Sequence, residues 1–235
     1  MTELLDYTAP RSNGRTRPRQ PMRGPGRVTP AGMVIEFAAG FLLLALATLA
    51  GIAFVHRPWP NHLDALGDRL LPADLSSHWA SAFTSLGSMT ALIGGVIVVF
   101  LVGLRRDWVR AIACAAAPVL AVLIVQVIAK PLVDRHIGGG LSYPSGTVAA
   151  VAALMTALTL VMPASIRLPV AALGEVAIVG TGAAVIVLRW HYPTDALGGI
   201  GVGMGSVLLI DALAHAPWVL AGGWRRRMQS PRPMV

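Results

Sequence analysis

The chain has 235 residues, 55% of them apolar and 13% charged, with a formal net charge of +8. So few charges cannot cover an ordinary soluble surface, and at this length one domain is the default. Apolar runs of about 17–25 residues recur, each long enough to cross roughly 30 Å of hydrocarbon. The expected fold class is all-α: a polytopic membrane helical bundle of about six transmembrane helices, with both termini cytoplasmic.

Residues 1–30 are polar and rich in Arg, Pro and Gly without a short apolar core. They read as a disordered basic cytoplasmic tail rather than a cleavable signal. Spans follow at roughly 33–55, 82–104, 111–129, 147–163, 168–188 and 196–214. They make a membrane domain over 31–220, closed by a second basic cytoplasmic tail over 221–235. The fifth and sixth spans are rich in Gly and Ala, and "GGIGVGMG" has the small-xxx-small spacing that lets helices approach closely. Between the first two spans, "NHLDALGDRLLPAD" puts Leu63, Leu66 and Leu70 on one helical face, as in a short amphipathic helix lying on the membrane surface.

Of the 19 basic residues, 14 fall in the two tails, the Arg105–Arg110 turn and Arg167, all on one side of these spans. That is the positive-inside pattern, so the charge reads as topology and contact with anionic lipid heads, not as nucleic-acid binding. Glu36, Glu175 and Asp211 lie near the same ends, where pairing with arginines is the simpler reading than a proton relay; Asp211 and His215 are spaced as a local i,i+4 pair. Cys114 is the single cysteine, which excludes an internal disulfide and the C-x-x-C type of metal site.

Arg57, Arg69, Lys130, Arg135 and Arg189 remain on the outer side. Lys130, Arg135 and Arg189 stand at outer span ends, where topology gives no reason for cations, and they imply an anion. Pro144, Ser145 and Gly146 precede the fourth span, whose first N–H groups carry the positive end of the macrodipole. Thr194 or Asp195 is placed to cap the sixth. With a nest of N–H groups over Gly138–Gly140, these elements form a candidate phosphate cradle. His191 lies four residues before Asp195, a spacing that can fix a tautomer and raise nucleophilicity; an interfacial structural imidazole is the other reading.

These residues resemble the type 2 phosphatidic acid phosphatases, relatives of the vanadium-dependent haloperoxidases, whose motifs are K-x6-R-P, P-S-G-H and S-R-x5-H-x3-D. Lys130, then Pro144–Ser145–Gly146, then His191 and Asp195 match in order, within a similarity over roughly residues 80 to 214. The resemblance implies that His191 attacks phosphorus to form a phosphohistidine, with Asp195 orienting it. It further implies that Lys130, Ser145 and Gly146 hold the phosphoryl oxygens, with no metal and no other cofactor. The chain departs from the motifs at Ile137 and Gly138 in place of Arg-Pro, at Thr147 in place of the proton-donating histidine, and at Ala184 and Val185 in place of Ser-Arg. Arg135 and Arg189 are placed to restore the missing charge, so the candidate phosphate-binding set is Lys130, Arg135, Ser145, Gly146, Thr147 and Arg189. Outer-side His78 and His136 are weak candidates for the acid.

The expected function is therefore a membrane lipid phosphatase or diphosphatase, acting on a phospholipid or polyprenyl (di)phosphate at the outer face of the inner (plasma) membrane. General acid catalysis is worth about 10²–10⁴-fold. Without the histidine acid, diphosphate lipids are expected to be better substrates than phosphatidate, because a phosphate leaving group needs less protonation than an alkoxide. The alternative is a catalytically impaired relative that binds anionic lipid or serves a structural role. A transporter fits six spans but lacks broken helices at the membrane midplane.

Overall fold

The computed structural model describes residues 28–229 except 57, 58 and 75; the expected tails up to residue 27 and from 230, and Arg57, lie outside the described residues. Helix α1 (Pro30–His56) has proline at its first position, where the missing N–H is no loss. The amphipathic helix expected on the outer side forms as α2 (His62–Leu70). Asn61 caps it in a reciprocal box with Asp64, and Leu63, Leu66 and Leu70 are exposed.

The expected second span is broken. Helix α3 (His78–Ser85) and α4 (Met89–Leu104) are bent 48° from one another around Leu86–Ser88. Packing causes the bend: a Cβ on Gly87 would stand 2.6 Å from Thr147 Cγ2 and 2.7 Å from the Thr147 carbonyl oxygen. Only glycine lets the chain turn that close to the helix that begins at Gly146.

Helix α5 (Trp108–Leu123), capped by Asp107, continues through a π-helical turn (Ile124–Ala129) into α6 (Lys130–Val133). Pro131 explains the wide turn, because it offers no N–H to the ladder and its ring displaces the carbonyl one turn back. Asp134, at a φ of 53°, ends α6 in the left-handed region. A two-residue hairpin follows, β1 (His136–Ile137) against β2 (Gly140–Leu141), with Gly138 and Gly139 both at positive φ in the turn. The glycine segment expected to form an anion nest is this exposed hairpin tip; a Cβ on Gly138 or Gly139 would meet nothing within 4 Å.

Helices α7 (Gly146–Val161), α8 (Ala164–Val187) and α9 (Pro193–Gln229) complete the bundle. Among the described residues, four helices are long and apolar enough to cross a membrane, or five if α3 and α4 count as one. Helix α7 has 16 residues and reaches about 24 Å, and nearly all its first two turns are buried among the others. The small residues of α9 work as their spacing implies: Gly199 and Gly203 lie against the α7 backbone at Ser145 and Ala149, while Gly201 and Gly205 face α1 at Leu43 and Gly40. Helix α9 runs well past the expected end of the sixth span.

At the end away from α2, a buried polar cluster pins α1, α5 and α9. Arg110 chelates Asp211, with Nη2 2.6 Å from Oδ2, and approaches Glu36 at 3.5 Å. His215 joins Asp211 to Asp107, its Nε2 3.0 Å from Asp107 Oδ2 and its Nδ1 2.8 Å from the Asp211 carbonyl oxygen. The intramembrane acids Glu36 and Asp211 are thus paired, as the arginine-rich side implied, while Glu175 is exposed.

Candidate functional site

Four chain segments meet at the α2 end: the α6–β1 connection, the start of α7, the α8–α9 turn and α2 itself. Ser145 caps α7, its hydroxyl accepting the Val148 N–H, and its own N–H donates to the Asp195 carbonyl oxygen at 2.9 Å. The starts of α7 and α9 are therefore tied together, with their positive ends on one side. Ser145, Gly146 and Asp195 are buried, and Thr147 and Lys130 half-buried. Lys130 lies close enough to Asp195 to feel its charge.

His191 lies in the short turn between α8 and α9, its N–H donating to the Val185 carbonyl oxygen. The ring is 8% exposed, and Nδ1 stands 3.8 Å from Asp195 Oδ2. That is beyond hydrogen-bond length, and among the described residues Nδ1 has no partner. The Asp195 carboxylate is fixed from both sides: Oδ2 accepts the Tyr192 N–H at 2.9 Å and Oδ1 accepts from Arg135 Nη1 at 2.6 Å. An unpartnered ring nitrogen faces a carboxylate that is already immobilised, and a shift of about 1 Å would close the bond.

Arg135 is not placed as the sequence implied. It is fully buried, donates from Nη2 to Asp64 Oδ2 at 2.6 Å and from Nη1 to Thr194 Oγ1 at 2.7 Å, and lies between the rings of Phe54 and Tyr192 at 4.1 and 4.4 Å. Its planar fork pairs with two carboxylates and packs against two aromatic rings, which makes it the clamp of the α2 end rather than an open cation. Arg189 does not converge on His191 either. At a φ of 57° it turns outward and pairs with Asp68 of α2 at 2.5 Å, both side chains partly exposed. Thr147 presents its methyl to Gly87. His136 is half exposed with Nδ1 3.0 Å from the Asp134 carbonyl oxygen, and His78 is exposed at the start of α3.

Asp64 is the residue that sequence reasoning missed. It is fully buried and accepts from the Asn61 N–H, the Thr194 N–H and hydroxyl, and Arg135, at 3.0, 3.0, 2.7 and 2.6 Å. The signal was present, since Asn61 with an acid three residues on is a capping-box spacing. Burial pushes the Asp64 carboxyl up, but the amide, hydroxyl and guanidinium donors outweigh it and hold it below the ordinary value. A depressed carboxylate adds stability that is complete above its unfolded pKa of about 3.9 and is lost as pH falls through the folded one. Wild type is therefore expected to lose thermal stability below about pH 4 more steeply than Asp64→Asn, measured by melting in detergent across pH. Parallel acid limbs would show that Asp64 is not the group responsible.

Among the described residues no group of three or more His, Cys, Asp or Glu side chains is arranged to hold a metal ion.

Residues 126–216 match the family model of the PAP2 superfamily, a segment that contains Lys130, Ser145, His191 and Asp195. No curated protein matches the chain. Among solved structures, the chain is similar to the crystal structure of a transmembrane PAP2 type phosphatidylglycerolphosphate phosphatase from Bacillus subtilis. Identity is 17%, with 85% of this chain and 98% of that one covered, at a TM-score of 0.49. The family match lies over the segment that carries the buried histidine–aspartate pair and the capped α7 start, so that part of this multi-pass membrane protein is similar to the PAP2 superfamily.

Proposed function

We propose that the protein is a lipid phosphatase that hydrolyses a phosphate ester or anhydride at the outer membrane face, through a phosphohistidine on His191. The observation that carries this reading is the unpartnered Nδ1 of His191, 3.8 Å from an Asp195 carboxylate held by Arg135 and the Tyr192 N–H. With its proton on Nδ1, directed at Asp195, the imidazole offers the Nε2 lone pair to phosphorus. The N–P bond forms as the bond to the leaving oxygen breaks, and that oxygen departs with the electron pair. Water then cleaves the N–P bond, releasing phosphate and restoring the imidazole.

In this reading Lys130, the Ser145 hydroxyl and the N–H groups at the start of α7 hold the phosphoryl oxygens, on which charge must be stabilised; the support is that Ser145 caps the start of α7. Thr147 cannot protonate the leaving oxygen as an imidazole would. The best leaving group is then one that departs as a stable anion, which favours polyprenyl diphosphate over phosphatidate.

Phosphate release from a panel of phospho- and diphospholipids, wild type against His191→Ala, tests the reading. Release from a diphosphate lipid that exceeds release from phosphatidate, and that vanishes in His191→Ala, is the expected result. Release undiminished by the substitution would remove His191 as nucleophile. A second reading, binding of anionic lipid without turnover, is favoured by one arrangement: Arg189 pairs with Asp68 and Thr147 packs on Gly87, so neither serves the site. Lipid binding with no release from any member of the panel would select it.

A further inference from the structure

The apolar run from Ala111 to Ala129 contains a single carboxamide, Gln126, in the π-helical turn one turn before Lys130. Its nitrogen lies 2.5 Å from the point where a Cβ on Gly146 would stand. The side chain therefore crosses from the α5–α6 segment to the first residue of α7, at the turn that Ser145 caps. Among the described residues Gln126 makes no hydrogen bond, and it is exposed although it sits in a membrane-spanning segment. An amide left unpaired in an apolar setting is costly, so its position calls for a polar partner. The wide turn keeps Gln126 and Lys130 on neighbouring parts of one face, and the Lys130 N–H bonds back to Val125 in the π pattern.

We infer that Gln126 is a phosphoryl-binding residue, donating its carboxamide N–H to an oxygen of a phosphate seated on the Ser145–Gly146 turn beside Lys130. The inference rests on the proposed lipid phosphatase reading for the location of the phosphate. It also accounts for a shortage at the site. Arg135 is held by Asp64 and Asp195, and Arg189 by Asp68, so the two arginines expected in the cradle face carboxylates instead. A neutral donor supplies hydrogen bonds at this depth with less desolvation than another cation would need.

The test is binding of inorganic orthovanadate, a phosphate mimic, to the full-length protein in detergent, measured by calorimetry. Gln126→Met keeps the length of the side chain and removes its donors. It is expected to weaken vanadate by about 10-fold or more, the worth of a hydrogen bond to a charged group, with the melting midpoint unchanged. Gln126→Glu should weaken it further by repulsion. Vanadate affinity in Gln126→Met within two-fold of wild type would overturn the inference, as would a wild type that binds no vanadate. Release from the lipid panel is read separately. Vanadate binding that depends on Gln126, with no lipid hydrolysed, would remove the catalytic reading and leave Gln126 as an anion ligand.

Discussion

Arg135→Leu is expected to destabilise the protein by about 3–5 kcal/mol, the usual consequence of removing one partner from a buried ion pair. The guanidinium is fully buried between Asp64 and Asp195, each 0% exposed, at 2.6 Å from both. Leucine would leave two carboxylates buried without their shared cation and empty the slot between Phe54 and Tyr192. The check is the melting midpoint in detergent, together with the yield of monodisperse protein. Arg189→Ala is the control. Its pair with Asp68 is 41% and 32% exposed, and such pairs are worth about 0–1 kcal/mol. If Arg135→Leu melted like wild type and lost only vanadate affinity, Arg135 would be the phosphate ligand that its position in the sequence implied.

If the protein hydrolyses lipid phosphate as proposed, Asp195→Asn should lower the rate by about 10²–10⁴-fold with little change in KM, because in that mechanism Asp195 acts on substrate through His191. An asparagine can still accept from Arg135, but it can place an amide rather than a carboxylate against Nδ1, which favours the wrong tautomer. Acid-labile phosphoprotein formed on mixing with substrate should fall in step with the rate. The α9 start must also remain folded, since Asp195 accepts the Tyr192 N–H; the melting midpoint separates that effect from the chemical one. An unchanged rate in Asp195→Asn would reduce Asp195 to a helix cap and remove the orienting role.

Much of this architecture is legible in the sequence because its causes are local. Apolar run length places the spans, the Leu63–Leu66–Leu70 face marks α2, and Ser145 and Asp195 sit at helix starts where their side chains accept orphan N–H groups. The spacing of Gly199 with Gly203 and of Gly201 with Gly205 announces two close helix contacts, though not their partners. The π turn and the break before α4 were not legible. The first depends on how the bundle absorbs Pro131, and the second on Thr147 being the neighbour of Gly87.

The fate of the charges was decided by tertiary structure alone. Counting cations at the outer span ends gave three, and the sum suggested a cradle. Folding brings Asp64, 71 residues before Arg135, to the same point, and turns Arg189 towards Asp68. A sequence shows how many charges one membrane level carries. It does not show which will neutralise one another, since pairing depends on separations of a few ångströms between segments far apart in the chain. By itself the sequence determined the membrane class, the helix starts and the His191–Asp195 spacing. Only the packing of α2 over α9, and of Gln126 against Gly146, decided which side chains pair with one another, because those partners come from segments far apart in the chain.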